Sequence, residues 1–245
     1  MARSGFRDRN QSLKRCAVVV DLSYGMLSIV ARNMAAVSSE QSLRRLVEAI
    51  VANDSGFFSK LIDGSSALAT ASFSHGATRQ GPRPSPCFIE EIGHYIYSGD
   101  TALHFAAASY RHNMADKLIK AGANVRARNR RGAEPLHAAA FGSPGSPRWD
   151  PAAQASTIVC LIDAGADPNA QNMDGATPLH RAIRTRCAGA VRALLDHGAN
   201  PEIRNKNGSM AMQLALHTTG RGGSGSPEAK AQQQEILLLL QGVAK

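Results

Sequence analysis

The chain has 245 residues, 43% of them hydrophobic, which is enough to bury one large or two small cores. Aromatic content is only 5%, with a single tryptophan, Trp149, and that disfavours a β-sandwich, whose strands draw on bulky branched and aromatic side chains. Against 19 Asp and Glu stand 28 Lys and Arg, a formal net charge of +9, so partners with an acidic surface fit and basic ones are disfavoured, while the fold is left undetermined. The four cysteines, Cys16, Cys87, Cys160 and Cys187, lack zinc-finger spacing. Cys160 lies among Ile158, Val159, Leu161 and Ile162 and is expected to be a buried small hydrophobe in a reducing compartment.

Taken in chain order, residues 1 to 40 read as a flexible basic arm. Arg3, Arg7, Arg9, Lys14 and Arg15 precede an apolar stretch from Cys16 to Val30 that Asp21, Ser23 and Gly25 interrupt. That stretch is too short and too polar to span a bilayer, and no small-residue cleavage site follows it. Next, Leu43, Leu46, Val47, Ile50 and Val51 fit one face of a helix, and after Asn53 and Asp54 a second face is formed by Phe57, Phe58, Leu61 and Ile62. From Gly64 to about Ser98 runs an insertion whose middle, Gly76 to Pro86, is rich in Gly, Arg and Pro. Its aromatic end, Phe88 to Tyr97, is expected to pack down.

From Gly99 onward the chain repeats itself. Gly99, Gly132, Gly175 and Gly208 are spaced 33, 43 and 33 residues apart, and each opens a similar nonapeptide. The clearest copy runs Gly175-Ala176-Thr177-Pro178-Leu179-His180. A second motif, Leu-x-x-x-Gly-Ala, recurs at Leu118 to Ala123, Leu161 to Ala166 and Leu194 to Ala199. Thr101 and Thr177 suit a helix N-cap, and Pro178 suits the first helical position, where no donor is needed. Gly122, Gly165 and Gly198 suit a left-handed cap closing a second helix. Glu134 stands where the second copy should have its capping Thr, so that cap is expected to be weaker. The fourth copy keeps neither Thr, Pro nor His and reads as a terminal cap.

These two motifs, recurring together in the same order over residues 99 to 242, resemble the ankyrin repeat. The resemblance implies an all-α solenoid of stacked helix–turn–helix units with β-hairpin fingers, divided at 99–131, 132–174, 175–207 and 208–242. The 15-residue step from Leu46 to Leu61 matches the steps from Leu103 to Leu118 and Leu179 to Leu194. Residues 41 to 98 therefore read as a degenerate N-terminal capping repeat plus an overgrown finger. Two Gly-Ser-Pro runs, Gly142 to Pro151 and Gly220 to Pro227, are expected to bulge from the turns inside repeats two and four, on the edge opposite the fingers. Trp149 is either an exposed anchor in the first bulge or folded back over the turn.

Chemistry is weighed on the same basis. His104, His137 and His180 recur at one repeat position, but packed helices stand about 10 Å apart whereas zinc ligands lie within ~2 Å of their ion. The resemblance implies hydrogen bonding between repeats instead. Glu91 and His94 have the spacing of a metal-binding helix, but no second copy exists and Gly93 weakens the helix, so a surface turn is expected. No phosphate loop, nucleophile elbow or zinc-protease motif is present, so neither cofactor nor catalysis is expected.

The resemblance implies a concave binding face formed by the fingers and first helices. Carried over by position, that face comprises Phe105, Tyr110, Arg111, Ala138, Phe141, Arg181, Arg184 and His217. The finger after repeat one adds Arg126, Arg128, Arg130 and Arg131 within six residues. The expected role is a cytoplasmic, monomeric, non-catalytic module for a protein partner, an acidic one being favoured. Nucleic acid held by the same arginines is the alternative, disfavoured because the basic residues do not form a stripe and stacking aromatics are few. A secreted effector or enzyme built on residues 1 to 98 is the third reading.

Overall fold

The computed structural model describes residues 39–77, 87–146, 148–217 and 227–243. The basic arm over residues 1–38, the middle of the long insertion over 78–86 and most of the second Gly-Ser-Pro run, 218–226, lie outside those residues. The described elements begin with α1 (39–52), α2 (Ser55–Gly64), α3 (Ala67–Thr70), β1 (Phe88–Ile89) and β2 (His94–Tyr95). Four helix pairs follow: α4 (Ala102–Ala108) with α5 (His112–Lys120), α6 (Pro135–Ala139) with α7 (Pro151–Asp163), α8 (Pro178–Arg184) with α9 (Ala188–Asp196), and α10 (Ala211–His217) with α11 (Pro227–Val243). The fold is an all-α repeat stack, with one two-stranded antiparallel hairpin in which Phe88 pairs Tyr95 and Ile89 pairs His94.

Backbone hydrogen bonds show why each helix stops where it does. In α4 and α8 the chain turns through a residue in the left-handed region, Tyr110 at φ 57° and Arg186 at φ 58°. The next residue donates back five positions, Arg111 N–H to Ala106 O and Cys187 N–H to Ala182 O, both at 2.9 to 3.0 Å. This is the Schellman closure, which satisfies carbonyls that the helix end leaves open. The same turn closes α1, with Asn53 at φ 57° and Asp54 N–H on Ala49 O at 2.9 Å. The left-handed residue lies seven positions after Leu46, Leu103 and Leu179 alike. In repeat two that position is Ser143, where the Gly-Ser-Pro run begins and the tight turn is replaced by a bulge.

The second helices of repeats one to three end on Gly122, Gly165 and Gly198, at φ 98°, 95° and 86°, a region costly for any residue with a Cβ. After each, an alanine N–H bonds the leucine five residues back: Ala123 to Leu118, Ala166 to Leu161 and Ala199 to Leu194. One core runs through the stack, from Leu43, Leu46 and Ile50 through Leu103, Leu136 and Leu179 to Ile236 and Leu240. At the closest approach of neighbouring first helices sit Ala106, Ala139, Ala182 and Ala215, all fully buried. A larger side chain there would have to part the helices, and packed interiors resist that.

Candidate functional site

The recurring histidines are the first feature to account for. The N-cap amides of Thr101, Glu134 and Thr177 donate to Nδ1 of His104, His137 and His180 at 3.1, 3.2 and 3.2 Å. An Nδ1 that accepts carries no proton, so the proton sits on Nε2. Nε2 then donates to a carbonyl of the following repeat: Ala133 at 3.2 Å, Ala176 at 3.0 Å and Ser209 at 3.1 Å. Each imidazole thus caps its own helix and ties it to the next. Burial holds the His137 pKa down at about 3, with Arg181 adding to the effect, and burial lowers that of His180 as well. The cap of repeat two keeps this bond although Glu134 has replaced Thr.

The fingers are built on asparagines. Asn129, Asn172 and Asn205 each accept, through Oδ1, the N–H groups two and four residues ahead, and each also receives the amide of the glycine three ahead on its backbone carbonyl. Successive fingers then pair by backbone: Arg130 N–H to Ser98 O, Met173 N–H to Arg131 O, Lys206 N–H to Asp174 O. The sequence motifs above do not include these asparagines. Their spacing of 43 and 33, the same as that of the glycines, is the signal that identifies them.

The four finger arginines are engaged within the chain. Arg126 reaches Asp167 at 3.4 Å and Arg131 reaches Asp174 at 3.3 Å, so the basic finger is met by acids of the next. Arg128 pairs with the buried carboxylate of Glu134 at 3.0 Å and donates to Gln171 O at 3.1 Å. Arg130 donates to Ala77 O at 3.1 Å. All four remain exposed, and these contacts join the finger to the next finger, to the cap of α6 and to the long insertion.

The concave face divides in two. Over repeat one it is closed. Phe105, expected to face a partner, is 0% exposed, with Phe73 and His94 edge-on at 5.8 and 5.7 Å. The end of the long insertion supplies this cover: Tyr95, Ile96 and Tyr97 are buried, and His94 is held neutral, its pKa near 4, by burial that outweighs the attraction of Asp100. Glu91 lies in the exposed turn between β1 and β2, whereas His94 belongs to β2 and not to a helix. Asp100 is fully buried and accepts from Tyr97 N–H at 2.7 Å and Asn129 Nδ2 at 2.8 Å. Ala138 is also too buried to offer a contact, at 4% exposed.

Beyond repeat one the face is open. Phe141 is 37% exposed, Arg184 and His217 are exposed and Arg181 is half-buried, its guanidinium 5.7 Å above the Phe141 ring. Tyr110 and Arg111 are half-buried below this row, and the Tyr110 hydroxyl donates to Phe141 O. The first bulge does not lie clear of the fingers as expected. Arg148 Nη1 donates to Glu90 O at 3.2 Å and Glu91 O at 3.3 Å, fastening the bulge to the hairpin turn. Of the two readings for Trp149, the folded-back one holds: Nε1 donates to Gln154 Oε1 at 2.8 Å, over Gly142. Cys160 is only half-buried, with its sulfur 3.9 Å from His112 O; the buried thiol is Cys187, its pKa raised by burial to about 11.

The ankyrin repeat family matches residues 98–130, and a family of ankyrin repeats in many copies matches residues 161–215. The enlarged turn of repeat two lies between these ranges. No curated protein matches the chain. Among the described residues no helix is long and apolar enough to cross a membrane.

Proposed function

We propose that this chain, which belongs to the ankyrin-repeat family, is a non-catalytic module that binds a protein partner through the open part of its concave face. Ankyrin repeats generally mediate protein–protein interaction, and the family is typically non-catalytic. The observation that carries the reading is the row Phe141, just after α6, Arg181 and Arg184 on α8 and His217 on α10, left uncovered while Phe105 one repeat earlier is sealed. Aromatic and arginine side chains on a pre-formed surface are what protein interfaces favour at their centres. The partner is acidic, because among the described residues the open arginines enter no ion pair. Nucleic acid is disfavoured, since the arginines that would extend the basic track are held by Asp167, Asp174 and Glu134.

The same reading assigns residues 41–98 to a capping repeat with an overgrown finger and 99–242 to the working stack, and makes the protein a cytoplasmic monomer. The test is hydrogen exchange on the chain alone and with a partner recovered by affinity purification. Protection gained over residues 138–148 and 178–190 supports the reading. Protection gained only over residues 39–77 contradicts it, as does turnover of any substrate.

A further inference from the structure

The acidic finger shows what to expect of the arginines that lack such a partner. Asp174 is taken by Arg131 at 3.3 Å, and both oxygens of Asp100 are used by Tyr97 and Asn129. Among the described residues neither guanidinium, of Arg181 or of Arg184, enters an ion pair or a hydrogen bond; Arg181 accepts from the Thr185 hydroxyl only through its backbone carbonyl. They stand three residues apart on α8 and so share one helix face. Burial is the largest influence and lowers the Arg181 pKa; Arg131 and Arg184 push it further down, while Tyr97 and Asp100 act against them without reversing the direction. A cation drawn partly out of water without a counter-charge is costly, and an arriving anion offsets that cost.

The geometry also leaves the binding edge free. The Arg181 Cζ lies 5.7 Å from the centre of the Phe141 ring, over its face and within cation–π range. A contact over the ring uses none of the guanidinium N–H donors, which stay available to a carboxylate able to accept two parallel hydrogen bonds. Phe141 is itself anchored, its carbonyl accepting from the Tyr110 hydroxyl and from Gln154 Nε2 at 3.3 Å. Ala138, the residue corresponding to Phe105 and Arg181 in repeat two, is small, buried and uncharged.

We infer that Arg181 and Arg184, with the Phe141 ring beneath Arg181, form a docking point for an Asp or Glu side chain of an acidic protein segment. The inference rests on the protein-binding reading above and names the chemistry its partner must present. Two arginines, one of them over an aromatic ring, suit one or two carboxylates. A nucleic-acid strand needs a longer track of unpaired cations, which the finger arginines do not provide.

The probe is a fluorescein-labelled hexaglutamate peptide, titrated by anisotropy into the full chain at low and physiological salt. Arg181→Ala with Arg184→Ala should weaken binding roughly tenfold or more, the usual cost of losing charge-assisted hydrogen bonds. Lys60→Ala with Lys230→Ala, which removes equal charge elsewhere, should change it less than about twofold. Arg181→Lys, which keeps charge but loses the planar fork, should fall between. Circular dichroism melts establish that each variant is folded. Equal binding by wild type and the arginine double variant overturns the inference, as does no binding by wild type, or tighter binding of a 20-base-pair DNA duplex with the same arginine dependence. If the double variant retains a protein partner that wild type captures, the docking point is wrong while the protein-binding reading stands. If wild type captures no protein at all, that reading fails too.

Discussion

The finger after repeat one and the face of α8 carry the same side chain to different ends. Arg126, Arg128 and Arg131 are denser in sequence and point to a site, yet each meets a carboxylate of its own chain. Arg181 and Arg184 are sparse and pair with none among the described residues. The difference lies in what the next repeat offers: Asp167 and Asp174 stand one finger along from the basic finger, whereas the positions flanking Arg181 on neighbouring first helices are Ala138 and Leu214. Charge density in a repeat protein is therefore a poor guide to its binding site until the facing position of the next repeat has been read. Exposed pairs such as Arg126–Asp167 contribute little stability individually, about 0 to 1 kcal/mol, so their effect is to set finger alignment and neutralise charge.

The largest effect should come from pH, acting on the stack and not on the fingers. Below the ordinary histidine value of 6.5 the unfolded chain takes up protons that His94 and His137 resist until about pH 4 and pH 3. Stability is therefore full above pH 6.5 and falls as pH falls. At pH 5 each of these histidines should remove about 2 kcal/mol, measured as a drop in the urea midpoint relative to pH 7. A flat midpoint across that range contradicts the buried neutral assignment. His137→Ala should cost about 3 kcal/mol at pH 7, because it orphans the Glu134 amide and the Ala176 carbonyl together. It should also flatten the acid dependence.

Within the fingers the ranking sharpens the comparison. Arg128→Ala should cost about 2 kcal/mol in thermal or urea unfolding, since it leaves the 1%-exposed Glu134 without its cation. Gly142→Ala should cost about 2 kcal/mol, because the new Cβ meets the Trp149 indole nitrogen at 2.8 Å and collides with the Cys187 sulfur. The smallest effect belongs to Asp174→Ala: about 0.5 kcal/mol of stability, with a modest gain in affinity for acidic peptide as Arg131 is released.

What the sequence disclosed followed from how local each signal was. The cap of Thr177, Pro178 and His180 and the closing glycines are fixed by neighbours a few residues away, and their period is visible by alignment. The step of 15 from Leu46 to Leu61 was legible for the same reason. Phe105 was misread because its cover, His94 with Phe73, comes from an insertion with no counterpart in the other repeats. The internal partners of Arg126 and Arg131 were not legible because they lie 41 and 43 residues on, in the next finger. The finger asparagines had the right period but sat in polar stretches where no apolar pattern drew attention to them.

The most direct test sets the two arginine groups against each other in one experiment. Arg126→Ala with Arg128→Ala and Arg131→Ala is compared with Arg181→Ala and Arg184→Ala, each measured for unfolding midpoint and for hexaglutamate affinity. The account predicts a crossed result, with the finger variant losing stability while binding within about threefold of wild type, and the α8 variant keeping its midpoint while losing roughly tenfold in affinity. A finger variant that keeps its midpoint and loses the peptide, beside an α8 variant that binds normally, would contradict it.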